Sequence, residues 1–311
     1  MVKVAGVLLA TGILALAQGK IARPGTVNYA EGQVTLGGQT IGAKQIGSAE
    51  VSPGQILATQ NGKAEMLLTP GVFLRLSDNS AVRMVTPSLT DTRVELIKGE
   101  AMVEAAEVLE GNHLNVLDGG ATTLIQKRGV YEFRAQQPTV AVFDGKAEVM
   151  VDDHNVELGK GKELLLTQTK PQKFDRTEAE ASDNLYAWSK LRSEYVSETN
   201  ASTAQMFVGG GYPWYGMGWY WNPYFDSWAF MPGDGFLYSP FGFGWGFYSP
   251  GYWRSFGPVY GRGFGRGYGY VGRGFVSPRA VGPAAAPRMG GFAGHMGGGF
   301  GGFGGHMGGR R

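Results

Sequence analysis

The sequence predicts a mainly β domain of stacked short strands and hairpins, then one C-terminal helix, then a glycine- and aromatic-rich, largely disordered tail. Three observations carry that expectation. Segments before residue 170 alternate apolar and polar residues with a period of two and are bounded by Gly, Asp or Asn. The composition breaks near residues 200–208: 32 of the 52 glycines lie from Gly209 onward and 29 of the 38 aromatic residues from Phe207 onward. Just before that break, apolar residues recur at helical spacing.

The chain opens MVKVAGVLLATGILALAQGK. Lys3 supplies a positive start, Val4 to Leu16 form a short apolar run, and Ala15-Leu16-Ala17 present small residues where a signal peptidase cuts. Residues 1–17 are therefore expected to be a signal peptide cleaved before Gln18, the apolar run being shorter than the roughly 17–25 residues that span a bilayer. An uncleaved N-terminal anchor is the alternative. The expected location is the periplasm or cell envelope. The chain has no cysteine, which excludes a disulfide scaffold, a thiolate nucleophile and a Cys-ligated metal.

Residues 18–175 form the expected β domain. GTVNYAEGQVTLGG, GKAEMLLTPGVFLRLSDNSAVRM, TRVELIKGEAMVEA, GVYEFRAQQPTVAVFDGKAEVMVDD and NVELGKGKELLLT all read as strands and turns. Phe73, Leu74 and Leu76 precede a turn at Asp78-Asn79, with Val82 and Met84 beyond it. Asp144-Gly145 between two alternating runs is a strong hairpin signal. A small motif recurs as EGQVTL (31–36), NGKAEML (61–67), KGEAMVE (98–104) and DGKAEVM (144–150), each with a glycine ahead of an extended run. Four copies at uneven spacing predict internal quasi-repetition rather than a strict solenoid.

Taken in order, LRLSDNSAVRM, TRVELIKGEAMVEA, LIQKRGVYEFRA, VAVFDGKAEVM and VELGKGKELLL resemble the segments of the FecR domain, the β-rich periplasmic part of iron-dicitrate regulator-like proteins. The resemblance covers about residues 58–165. Val130 follows Gly129 where that family has threonine. The resemblance implies an exported β scaffold that senses or binds another molecule, and it implies no catalytic residues. Family regulators join this domain to a transmembrane helix and a cytoplasmic anti-sigma segment. A signal-like start in their place argues against direct control of a sigma factor across the membrane.

Residues 176–200 contain the helix candidate, over about 181–199. Leu185, Trp188, Leu191, Arg192 and Tyr195 fall on one face, and Ser182 or Asp183 caps the start. This helix is expected to pack back on the β domain and close an edge. Residues 207–256 are dense in rings and broken by prolines, with short extended pieces. Residues 257–311 begin with the Arg-Gly-aromatic stretch YGRGFGRGYGYVGRGF and end in low-complexity glycine repeats.

No enzyme chemistry emerges. His113 and His154 sit in turn-like segments without a metalloprotease partner, and His295 and His306 lie in glycine-rich Gly-His-Met copies. Glu100, Glu104 and Glu107 read as the wet face of a sheet, and GKGKE at 159–163 as a turn rather than a phosphate loop. Neither a cofactor nor a metal is expected.

The chemistry left is association. Trp188, Tyr195, Trp214, Trp219, Trp221, Trp245 and Trp253, with Arg262, Arg266 and Arg273, are the candidate interaction residues. The leading expectation is a non-enzymatic envelope protein whose β domain binds a protein or glycan and whose tail is adhesive or self-associating. A periplasmic signalling component is the alternative. Nucleic-acid binding through the arginines ranks third, because export removes cellular RNA.

Overall fold

The computed structural model describes residues 21–210, 216–232 and 236–246. The signal-like residues 1–17 and the stretch 257–311 lie outside the described residues. Through the domain run β1 (Val27–Leu36), β2 (Gln39–Thr40), β3 (Ile56–Leu67), β4 (Val72–Leu76), β5 (Ala81–Pro87), β6 (Asp91–Lys98), β7 (Glu100–Ala105) and β8 (His113–Asp118). They are followed by β9 (Ala121–Ile125), β10 (Gly129–Arg134), β11 (Thr139–Asp144), β12 (Lys146–Val151), β13 (His154–Gly159), β14 (Lys162–Leu165) and β15 (Gln172–Lys173). Helices α1 (Arg176–Ser182) and α2 (Asn184–Gly210) follow, then two hairpins, β16 (Gly218–Asn222) with β17 (Ser227–Met231) and β18 (Phe236–Tyr238) with β19 (Gly244–Gly246).

One hydrogen-bonded path, β13-β12-β9-β8-β6-β5-β3-β4-β7-β10-β11-β14-β15, runs through the domain, with β1 on the other edge of β3 and β2 on β1. The pairing is antiparallel except between β6 and β8. Strand β3 is the spine: Ile56–Ala58 pair with β5, whereas 64–67 pair with β4. Two half-sheets therefore meet at β3, and β13 returns to touch β11 and β14 so that the path rolls up around one core. Period-two alternation fills that core. Val72, Leu74 and Leu76 of β4, Ala101 and Val103 of β7, and Tyr131 and Phe133 of β10 all point inward, with Val82, Val94, Val116 and Val149 of the other half opposite. Each such aliphatic side chain contributes about 1.5–3 kcal/mol on burial.

Two glycines of the recurrent motif, Gly99 and Gly145, are corners. Asp144-Gly145 does not close a hairpin, contrary to the sequence expectation: β11 pairs with β10 and β14, while β12 pairs with β9 and β13. The chain crosses there from one half-sheet to the other, and Gly99 makes the same crossing between β6 and β7. Both have positive φ (76° at Gly99, 100° at Gly145). A Cβ on Gly99 would stand 2.3 Å from the Ser80 hydroxyl, and one on Gly145 would stand 2.2 Å from that of Tyr131. Those hydroxyls satisfy the N–H that each crossing removes from the ladder: Glu100 N–H donates to Ser80 Oγ at 2.9 Å and Lys146 N–H to the Tyr131 hydroxyl at 3.0 Å. Gly32 and Gly62, the other two motif glycines, oppose each other in the β1–β3 register. Tertiary pairing overrode the local turn signal because each flanking run finds its partners in a different half-sheet. The turn expected at Asp78-Asn79 is present, with Asn79 at φ 51°.

A second layer covers the outer face of β3, β4, β7, β10 and β11. The helical segment divides at Asp183, whose extended backbone ends α1 and whose Oδ1 accepts from Leu185 N–H (2.7 Å) and Tyr186 N–H (3.0 Å) to cap α2. Two helices thus stand where one was expected. Asp175 caps α1 in the same way. Helix α2 lies across the face of β4 and β7 instead of closing an edge. The described structure also continues past the composition break. Trp228 and Phe230 of β17 are buried with Leu67, Phe73 and Val196, and Phe241 is buried with Met102, Phe143 and Tyr186.

Gly145→Ala is expected to destabilise the domain by at least about 2 kcal/mol, because strained φ and overlap with the Tyr131 hydroxyl add. Tyr131→Phe, which leaves the Lys146 N–H unpaired, is expected to cost about 1–3 kcal/mol. Urea denaturation followed by circular dichroism measures both.

Candidate functional site

Alternation on β3, β4 and β7 sends Glu65, Arg75 and Glu104 to the outer face, and all three are 0% exposed. Glu65 and Arg75 are direct cross-strand partners, and Arg75 lies diagonally from Glu104. Arg75 Nε donates to Glu65 Oε2 at 2.8 Å and its terminal nitrogen to Glu104 Oε2 at 2.7 Å. Arg192 of α2 closes the chain of charges, donating to Glu65 Oε1 at 3.0 Å. Arg192 also stands 4.0 Å over the Tyr29 ring, a cation–π contact that turns β1 into part of the clamp. The four charges sum to zero in the order plus, minus, plus, minus.

Neutral groups complete the network. Asn28 Nδ2 donates to Glu65 Oε1 at 2.8 Å, and Asn28 Oδ1 accepts from the Trp228 N–H at 2.8 Å, tying β1 to β17. Ser193 Oγ donates to Glu104 Oε1 at 2.8 Å, and Ser239 Oγ bonds the same oxygen. Asn200 Oδ1 accepts from Phe230 N–H at 2.8 Å, and the Trp228 indole donates to the Gly47 carbonyl at 2.9 Å. Burial pushes the Glu65 carboxyl up, but Arg192 and Arg75 outweigh it and hold the group at about 2. Burial likewise opposes the Arg75 charge, and the two glutamates more than restore it.

This arrangement corrects two expectations. Glu104 faces no solvent: it is buried under α2 and hydrogen-bonded on both oxygens. The buried face of α2 also matches the expected stripe only in part. Leu185 and Arg192 of that stripe are buried, together with Tyr186, Ser189, Ser193, Val196, Thr199, Asn200, Thr203 and Ala204, whereas Leu191 and Tyr195 are exposed and Trp188 is half-buried with its ring 6.2 Å from Tyr29. Polar partners on the sheet hold Arg192 and Ser193 inward and leave Leu191 and Tyr195 outside. A signal was present, since Arg75 is a lone charge inside LLTPGVFLRL, but a lone charge in an apolar strand does not reveal its partners Glu65 and Glu104, nor that Arg192 joins Glu65 from 127 positions away.

Among the other candidate interaction residues, Trp219 is half-buried against Phe73 and Phe230, and Trp221 against Trp228. Trp245 falls within β19. Trp214, Trp253, Arg262, Arg266 and Arg273 lie outside the described residues, as do His295 and His306. His113 and His154 are exposed at strand starts. Among the described residues no group of three or more His, Asp or Glu is arranged to hold a metal ion. Three open polar grooves lie among the described residues, one of about 540 Å³ beside Asp91, Arg93 and His113, and others of about 380 and 270 Å³ that share Arg134 and Gln137.

No protein-family profile and no curated protein matches the chain. Two solved structures, both of candidate anti-sigma factors from Parabacteroides distasonis, are similar to parts of it. One is 20% identical with a TM-score of 0.33, over 38% of this chain and 57% of that one. The other is 15% identical with a TM-score of 0.35, over 56% of this chain and 96% of that one. The chain thus spans little more than half the length of the first.

Arg75→Met leaves Glu104 without a cation in the interior and Glu65 with Arg192 alone, and is expected to cost about 3–5 kcal/mol in urea denaturation. Acid should act on the same network. Because Glu65 is held below its ordinary 4.5, its contribution is present above pH 4.5 and lost as pH falls toward about 2, and thermal melts across that window should show the decline.

Proposed function

We propose that this chain is a non-catalytic, extracytoplasmic signalling component whose β domain and fastened helix α2 engage a protein partner. The outward face of α2 carries the reading. Leu191 and Tyr195 stand 47% and 50% exposed one turn apart, with Trp188 half-buried a turn before them. The opposite face of the same helix is clamped by charge and hydrogen bonds, so the exposed side chains are presented on a rigid support. Aliphatic and aromatic anchors at this spacing are what protein grooves recognise on a helix.

Other features support a regulatory role. The order of segments over residues 58–165 resembles the FecR domain, which belongs to regulators. The buried charges Glu65, Arg75, Glu104 and Arg192 are spent on internal pairing, and the three grooves described above are lined without Phe, Tyr or Trp. Export rests on residues 1–17, and no helix among the described residues is long and apolar enough to cross a membrane.

A second reading, envelope adhesion or self-association through residues 207–311, is favoured by the β16–β17 turn, where Tyr224 is 81% exposed beside exposed Phe225. A photo-crosslinking residue at Leu191 or Tyr195 in cells separates the two. The signalling reading expects one discrete heterologous adduct that persists when residues 257–311 are deleted. An adduct lost with that deletion, or formed only with a second copy of the chain, supports adhesion instead.

A further inference from the structure

The start of α2 holds carboxylates that the charge network above does not use. Glu132, on the outer face of β10, is 2% exposed. Arg134, two residues along the same strand, donates to both of its oxygens, from Nε at 2.9 Å and from a terminal nitrogen. Asp183 lies within hydrogen-bond reach of Glu132. Its Oδ1 caps α2, while its Oδ2 is buried and receives no donor. Two ionised carboxylates in contact away from water repel, and a buried oxygen without a donor is costly. One proton removes both problems: a carboxylic acid at Glu132 donates to Asp183 Oδ2, and Asp183 Oδ1 keeps accepting the two cap bonds.

We propose that this shared proton is a pH-sensitive latch fastening the start of α2 to β10. Burial pushes the Glu132 carboxyl up, Arg134 opposes it and Asp183 reinforces it, leaving the group at about 8. The surroundings are accounted for on each side. Met102 of β7 and Ala141 of β11, the cross-strand neighbours, are apolar. Glu100 of β7, pushed up by burial and by Asp183, stands by Arg134 and titrates in the same direction, and Asp78 of the β4–β5 corner shares their groove. Tyr186, one turn into α2, is held near 12, outside the working range. Arg134 lines two open grooves, so protons reach the pair from solvent.

The direction follows from linkage. With α2 detached, Glu132 returns to its ordinary 4.5. The latch is fully formed below that pH, opens more easily by up to about tenfold per pH unit between 4.5 and 8 as one proton is released, and gains no further slope above. Glu65 has the opposite sign and acts only below 4.5. The latch stands apart from the partner reading, because it concerns the fastening of the helix and not what the helix binds.

Hydrogen–deuterium exchange of the full chain at pH 5, 6.5 and 8, corrected for intrinsic exchange, tests it. Amides of residues 184–190 are expected to lose protection by up to roughly tenfold per pH unit while amides of β4 and β7 hold theirs. Glu132→Gln keeps a donor to Asp183 and removes the titration, so its profile should be nearly flat, with only the smaller contribution of Glu100 left. A flat wild-type profile, or the full slope in Glu132→Gln, overturns the proposal. Should that variant not fold, Asp183→Asn keeps the cap and removes the repelling charge. Its slope should then shrink and move to lower pH, and an unchanged slope overturns the proposal equally.

Discussion

Arg75 sits at the middle of a sheet face with no water to solvate it, and the layer above that face is organised around its charge. Two glutamates on neighbouring strands neutralise it twice over, which leaves one negative charge in excess. Arg192 supplies the balancing positive charge from α2. A buried pair of this kind adds little net stability over well-packed apolar residues, yet a broken one is severely destabilising. Its effect is therefore selective: α2 can dock in the rotation and register that put Arg192 on Glu65 and Ser193 on Glu104, and in few others.

That selectivity extends to the arrangement of the outer layer. The aromatic hairpin β16–β17 rests on α2 and β1 together, with Asn28 touching both Glu65 and the Trp228 backbone, and Asn222 donating to Thr203 of α2 at 2.9 Å. Ser239 reaches Glu104 from the next hairpin. Rings that a sequence reader would place in a sticky tail are thereby interior, and Trp228 and Phe230 belong to the domain as fully as Leu67 and Phe73 do. Helix α2 carries Leu191 and Tyr195 on its outer side among Lys190, Glu194 and Glu198, two large side chains that a folded monomer gains nothing from and a partner can use.

Beneath this layer the roll depends on corners more than on hairpins. At Gly99 and Gly145 the chain leaves one half-sheet and enters the other, and in each case a hydroxyl from a neighbouring element occupies the volume of the missing Cβ and bonds the N–H that follows. Sequence similarity among the glycine motifs thus covers two uses, a crossing at Gly99 and Gly145 and a close backbone approach of β1 and β3 at Gly32 and Gly62.

Much of this was legible in the residues themselves. Period-two alternation determined the strands and which of their residues form the core, because that pattern depends only on neighbours along the chain. Asp183 as a helix cap was readable for the same reason, and so was the break in composition. Tertiary structure alone decided the rest. It decided that Asp144-Gly145 is a crossing, since strand partners come from distant segments. It decided that Glu104 is buried and Tyr195 exposed, since the rotation of α2 is set by a charge balance between residues 65, 75, 104 and 192. It also decided that Trp228, Phe230 and Phe241 join the domain, since glycine and proline content predicts how a segment behaves alone and not how well its rings fit a face already built.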